Sequence, residues 1–415
     1  MGDVQTRLWR ISNWVRGALD LAGARKEAVR AFDGIHKTRR ERLLLVASFD
    51  PRGLKNIREN IEEWCEQSRY PFDLLNLFHF PGRGGLAIPA WVDLNDYAGV
   101  VLHCTVSYSP HNLNSLDRKL KTGVSAYQGI KVLMKQDEHY RTRQIAAFVK
   151  SRALDLLITL VEPDRVHEIY PRESIGDVEF LFAITGYVSR GLRQLNAPPL
   201  AGRPIDVGYR GSIQPLSFGT LAFEKREIGE RFETICAEHR LACDISSRAE
   251  DLFLGDEWPR FLCRIKATLG AESGASIVDF DGTVEHKCND YLRQQPAAKF
   301  SDIFENVLRP YEENAYYKAI SPRHLEAAAC RTTQVMYEGR YNGIFAAGRH
   351  YIPLRRDFAN AAEVVGKLRD LPYCQDMVDR TYEEVILDPE HSYETYVTEF
   401  DDCVGRLLAV KGGGR

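Results

Sequence analysis

The residues with most chemistry to offer lie between Ser321 and Gly343. Ser321 is a good N-cap, Pro322 suits the first helical position, and Leu325, Ala328 and Ala329 supply an apolar stripe. A β-type run, 333–337, follows at once, so a small-residue helix packs against a strand with Glu326 one turn inside it. Read from its residues alone, Glu326 is an acid favoured by the helix dipole.

Three further segments place reactive groups beside glycine turns or strand ends. Residues 206–212 read as a strand ending in a glycine turn at Arg210, Gly211 and Ser212. Such a turn lets the backbone approach a phosphate and aims N–H groups at it. Lys225 or Arg226 is the candidate for a second cation nearby. The stretch 266–276 is rich in glycine and small hydroxyl residues, as suits a loop touching phosphate or sugar, and Glu272 and Ser273 are its residues of interest. Asp137 and Glu138, with His139 behind them, emerge at the carboxyl end of the apolar strand 130–135, where open α/β sheets bind ligands. Either acid is a candidate general base, Glu138 by its longer reach; alternatively both only favour a helix N-terminus. The run 277–283, Ile-Val-Asp-Phe-Asp-Gly-Thr, resembles the first motif of haloacid-dehalogenase-type phosphatases, but its expected downstream lysine and acids are missing.

The elements that position these groups form two series. Short apolar strands at 42–47, 72–78, 98–105, 130–135, 154–159 and 180–184 alternate with helical stretches such as 57–67, which predicts a parallel sheet covered on both faces. A proline- and glycine-rich connection, 196–204, separates this from a second series opening at 205. The expected organisation is a basic helix at 1–41, one Rossmann-like domain at 42–195, the linker, a second domain at 205–375, and a C-terminal helix and tail at 376–415. The basic helix either packs on protein or meets an anionic membrane surface.

With 415 residues, 44% hydrophobic and 27% charged, the chain has an ordinary soluble composition. Nine scattered cysteines without a CxxC pair read as reduced thiols of a cytoplasmic protein rather than a disulfide frame or zinc site. A net charge of −3 speaks against attraction to nucleic acid, which is expected to be an unlikely partner.

Arg323-His-Leu-Glu-Ala-Ala-Ala-Cys330, with the glycine turn at 210–212, resembles the donor-nucleotide region of two-Rossmann (GT-B) glycosyltransferases, nearest the bacterial spore-maturation-type branch. The resemblance implies an α/β fold of two Rossmann-like domains facing across a cleft, with helices at both termini. It also implies transfer of a sugar from a nucleotide-diphosphate donor to a glycan, lipid-linked, protein or small-molecule acceptor, without a metal or other cofactor. It assigns the donor ribose to Glu326, the diphosphate to Arg210, Gly211, Ser212 and Lys225, and further donor contacts to Glu272, Ser273, Lys318 and Arg323. Lys318 stands eight residues before Glu326, where retaining families carry an acid, which puts retaining stereochemistry in doubt. The alternatives are a phosphatase using 279–283, or a catalytically silent nucleotide-sugar-binding protein.

Overall fold

The computed structural model describes residues 42–50, 53, 55–79, 86–89, 92–108, 110–118, 123–211, 214–253 and 255–412. The N-terminal basic helix expected at 1–41, and Ser212, lie outside them. The chain groups into two compact units. One takes the described residues up to 137 together with 141–183 and 394–412; the other takes 138–140 and 184–393.

In the first unit six strands form one parallel sheet: β1 (Leu43–Ala47), β2 (Phe72–Asn76), β3 (Gly99–Leu102), β4 (Ile130–Met134), β5 (Leu156–Thr159) and β6 (Glu179–Phe182), ordered β2-β1-β3-β4-β5-β6. Every residue of β1, β3, β4 and β5 is buried, the signature of strands covered on both faces. Among the polar residues buried in these strands is Asp73, fully enclosed in β2, which pairs with Arg42 at 2.6 Å and accepts the Tyr97 hydroxyl at 3.0 Å. The C-terminal helix Tyr393–Gly412 lies on this unit from Glu394 onward. Phe400 meets Trp64 at 4.3 Å between ring centroids, Asp401 accepts from the Ser68 hydroxyl (2.6 Å) and Arg69 N–H (2.7 Å), and Lys411 reaches Asp155 at 2.7 Å.

The second unit carries a parallel sheet of β7 (Ile205–Arg210), β8 (Cys243–Ser246), β9 (Ile265–Gly270), β12 (Thr333–Tyr337) and β13 (Ile352–Leu354), ordered β13-β12-β9-β7-β8. Its core joins Val207, Ile228, Phe232, Ala267, Val335 and Ile352. The order reverses between β7 and β9, a topological switch point. Two features depart from the sequence expectation. The strand expected at 267–270 is the end of β9, but the loop expected after it holds a further strand β10 (Ser273–Ala275), which pairs antiparallel with β11 (Tyr317–Ala319). Between β10 and β11 runs an inserted helical segment with its own small core of Ile277, Val284, Ile303 and Leu308. The compact units also divide at 183/184, so the 196–204 connection belongs inside the second unit.

Candidate functional site in the second unit

The site grows from the carboxyl ends of β7, β9 and β12. After β7 the chain reaches Gly219, whose φ of 80° and ψ of −160° suit only glycine, and then enters the helix Thr220–His239. A Cβ at Gly219 would stand 2.4 Å from Ser276 Oγ and 2.7 Å from Glu312 Oε2, so the approach itself demands glycine. The first amides of this helix need partners. Leu221 N–H donates to Ser276 Oγ at 3.2 Å, and Thr220 N–H donates to the Glu312 carboxylate at 3.3 Å. An acid of the insertion thus sits on the positive end of the helix, where its charge is favourable.

Beside this helix start lies a cavity of about 450 Å³ whose walls include five glutamates (224, 272, 312, 313 and 338) and three cations, Lys318, Arg340 and Arg356. Arg356 Nε donates to Glu224 Oε1 at 2.6 Å and its Nη1 to the Glu338 carbonyl at 2.9 Å. Burial pushes the Glu224 carboxyl up, against the pull of Arg356. Glu272 accepts the N–H groups of Arg340 (3.0 Å) and Tyr341 (3.1 Å) through Oε1, so it fixes the turn after β12 while facing the cavity. Lys318 stands 3.3 Å from Glu313. The wall can accept hydrogen bonds from a polyhydroxylated ligand and offers cations for an anionic one.

Next to the cavity the remaining expected residues form a connected strip. Lys225 Nζ donates to Ser273 Oγ at 3.3 Å. Gly211 permits a close approach, because a Cβ there would stand 2.5 Å from Ser247 Oγ and 3.2 Å from the Lys225 carbonyl oxygen. The Arg323 guanidinium donates to the Arg210 carbonyl and lies 5.1 Å from the Trp258 ring. Trp258 Nε1–H in turn donates to Glu326 Oε2 at 2.7 Å. Between them His324 takes the capping-box position on the helix Pro322–Ala329, its Nδ1 accepting from Ser321 N–H at 3.2 Å. Burial first, then the charges of Lys225 and Arg323, push its imidazole down to about 3, so it is neutral at neutral pH.

Arg210 itself departs from expectation. Its guanidinium is buried, paired with Asp244 at 2.8 Å, bonded to the carbonyls of Tyr209, Asp244 and Asp251, and held 4.6 Å from the rings of both Phe253 and Phe261. It locks the end of β7 to β8. The acids after β4 separate as well. Asp137 adopts φ 59° and is exposed, whereas Glu138 is fully buried and groups with the second unit. The left-handed turn at Asp137 swings the chain so that the longer acid points inward, reversing the expected order of accessibility.

The phosphatase-like run is a helix cap. Asp279 accepts the N–H groups of Gly282 (3.0 Å) and Val284 (3.2 Å) through Oδ1 and that of Glu285 (2.9 Å) through Oδ2, while Asp281 accepts from Thr283 at 3.0 Å. These contacts start the helix Thr283–Gln294 and spend both Asp279 oxygens on backbone donors. Among the described residues no group of three or more His, Cys, Asp and Glu is arranged to hold a metal ion. Sequence reasoning missed Glu224, Glu312 and Arg356, whose partners lie far along the chain and leave no spacing signal.

No family model and no curated protein matches the chain. Solved structures do. An α-glucosyltransferase in complex with UDP and a 13-mer DNA containing a HMU base aligns over 88% of this chain and 100% of its own, at 11% identity and a TM-score of 0.49. Sucrose-phosphate synthase from Thermosynechococcus elongatus aligns over 89% and 100%, at 13% identity and 0.48. A mutant of S. aureus TarM in complex with Fondaparinux, alpha-GlcNAc-glycerol and UDP aligns over 74% of this chain and 55% of its own, at 11% and 0.41. At TM-scores below 0.5 these likenesses carry no functional weight for this chain. Nucleic acid stood as an unlikely partner, yet three matched structures hold an α-glucosyltransferase together with DNA. The physical reason is that a net charge of −3 averages over the whole surface, while nucleic-acid binding depends on local contacts to phosphate and base.

Proposed function

We propose that the second unit binds a nucleotide-diphosphate sugar and that the protein is a glycosyltransferase. The observation that supports this best is the strip at the carboxyl ends of β7 and β9. Residues distant in sequence (Gly211, Lys225, Ser273, Arg323 and Glu326) come together there beside a cavity of about 450 Å³. In this reading Lys225, Arg323 and the backbone at 210–211 neutralise the diphosphate, and Glu326 takes the ribose hydroxyls. Glu272 and Lys318 face the sugar. Charge building on the leaving diphosphate is met by fixed cations and N–H dipoles, so the transfer proceeds without a metal. A carboxylate after β4 deprotonates the acceptor hydroxyl, with Asp137 the accessible one and Glu138 behind it.

The finer likeness to the spore-maturation-type branch rests on the run 323–330 and on the His-Tyr-Ile-Pro run at 350–353. We place the protein in the cytoplasm, with the 1–41 segment as its contact to a membrane face or to a partner protein. The test is a thermal-shift and calorimetric screen of nucleoside diphosphates on the wild type, Lys225→Gln and Glu326→Gln. A ligand that binds the folded state alone raises the apparent stability. Wild-type binding that is weakened in both variants, with sugar-nucleotide turnover, supports the transferase. Binding without turnover in any acceptor pool supports a silent binder, and no binding by the wild type removes the reading.

A further inference from the structure

Two cysteines outside the proposed donor contacts meet at the ends of two helices. Cys263 caps the carboxyl end of the helix Glu257–Leu262, and Cys330 caps that of Pro322–Ala329. They converge on one carbonyl: Pro259 O accepts the Cys263 N–H at 3.0 Å and lies 3.8 Å from Cys330 Sγ. Both side chains belong to one apolar cluster, Cys330 within it and Cys263 packed against it. Cys330 is fully buried among Phe261, Leu262, Ile265 and Ala327, while Cys263 packs on that cluster half-buried, so a solute reaches Cys263 first.

A fixed cation stands beside the pair. The Arg203 guanidinium donates to the Leu262 carbonyl at 3.1 Å and to the Cys330 carbonyl at 2.8 Å, tying both helix ends together. The Cys330 side chain, aided by Arg203 and opposed by burial, holds the Cys263 thiol down at about 7. Cys330 is pushed up, by the Cys263 side chain first and by burial second, with Glu326 adding in the same direction. A partly ionised, reachable thiol beside a protonated, enclosed one is the arrangement of an attacking and a resolving cysteine.

We propose that Cys263 and Cys330 form a redox-active dithiol that a hydroperoxide closes to a disulfide between the two helix ends. The Cys263 thiolate attacks one peroxide oxygen, the O–O bond breaks, and the second oxygen leaves with a proton as water or alcohol. The sulfenic acid left on Cys263 is attacked by the Cys330 sulfur; the S–O bond breaks and water departs with the Cys330 proton. With hydrogen peroxide, two thiols and one peroxide give one disulfide and two waters: the sulfurs lose two electrons and the peroxide gains them. The new bond joins the helix bearing Trp258 to the helix bearing Glu326, which already share a hydrogen bond. The inference does not depend on the donor reading.

The chain holds its own comparison. Cys236 and Cys243 also act on each other's thiols, but burial pushes Cys236 up to about 12 and raises Cys243 too. The full-length protein is treated at pH 7 with graded hydrogen peroxide, alkylated and mapped by mass spectrometry without reduction. The expected result is a Cys263–Cys330 linkage, reversed by dithiothreitol, forming roughly five- to ten-fold faster than any Cys236–Cys243 linkage, since thiolate fraction outweighs the lower nucleophilicity of a more acidic thiol. Cys330→Ser should leave a sulfenic acid on Cys263 that dimedone traps. Cys263 still alkylatable at doses that oxidise Cys243, or a 236–243 linkage forming first, overturns the proposal.

Discussion

At the residue scale the two informative acids are Glu326 and Asp279, both carboxylates near a helix start but differently used. Glu326 is 9% exposed and accepts the Trp258 indole N–H, a charge-assisted bond that orients it. Glu326→Gln should weaken nucleoside-diphosphate binding by roughly 1.5–3 kcal/mol, the range for hydrogen bonds to a charged group, with little change in unfolding midpoint. Equal affinity in a calorimetric titration would remove Glu326 from the site. Asp279 by contrast serves its own helix through three backbone N–H groups. Asp279→Ala should cost about 1–2 kcal/mol in urea unfolding, as for loss of a strong cap, and change no turnover. A magnesium-dependent phosphatase activity that disappears in Asp279→Asn would restore the discarded alternative. The sequence offered each acid a different chemistry, and their donors in the structure tell the two apart.

At the element scale, the segments that reach across each unit matter more than its regular strands. The helix Tyr393–Gly412 fills the first unit with Phe400, fully buried against Trp64 and Phe72. Phe400→Ala should destabilise that unit by roughly 3–5 kcal/mol, from lost transfer energy plus the cavity left behind, with Trp64 fluorescence following the earlier transition. The entry to the helix Thr220–His239 is a second such place. Gly219→Ala forces a glycine-only backbone conformation onto alanine and drives Cβ into Ser276 and Glu312. A loss of about 1–3 kcal/mol is expected, together with weaker ligand binding at the adjoining cavity. Unchanged stability and affinity would mean that the turn relaxes freely and does not shape the site. The 196–204 stretch, a loose connection by composition, contains Arg203, 2% exposed and bonded to the carbonyls of Pro198, Leu262, Ile265 and Cys330. Proline and glycine content describes its backbone, not the one side chain that staples three segments.

At the scale of the whole molecule, each unit encloses a neutral histidine. His103 in the first unit accepts the Thr105 N–H on Nδ1 at 3.2 Å and meets Asn60 Oδ1 with Nε2 at 3.0 Å, and burial pushes it down to about 3. His324 in the second unit is lowered to about 3 as well. Both folded values lie below the unfolded value near 6.5, so the unfolded chain binds more protons between pH 6.5 and 3. Stability is therefore fully present above 6.5 and falls as the pH drops through that window, by about 1.4 kcal/mol per pH unit for each histidine. Thermal unfolding from pH 7 to 4 should show both transitions moving down. His103→Gln should flatten the slope of the first unit's transition, and His324→Gln that of the second. Slopes unchanged by the variants would place the acid sensitivity in the carboxylates.

Much of the fold was legible because it rests on local patterning. Apolar runs between turns marked the strands of the first sheet and most of those of the second, and the cap and proline at 321–322 marked a helix start. The connection of Lys225 to Ser273, and the burial of the Arg210 guanidinium, were not legible. They depend on which strand neighbours which, and no spacing along the chain records that. The same holds for the insertion between β10 and β11, whose Glu312 reaches a helix start 92 residues away. Residue type and period settle what an element is and which groups it carries. Only the packed structure decides which of those groups are consumed by backbone amides and neighbouring charges, and which still face a ligand.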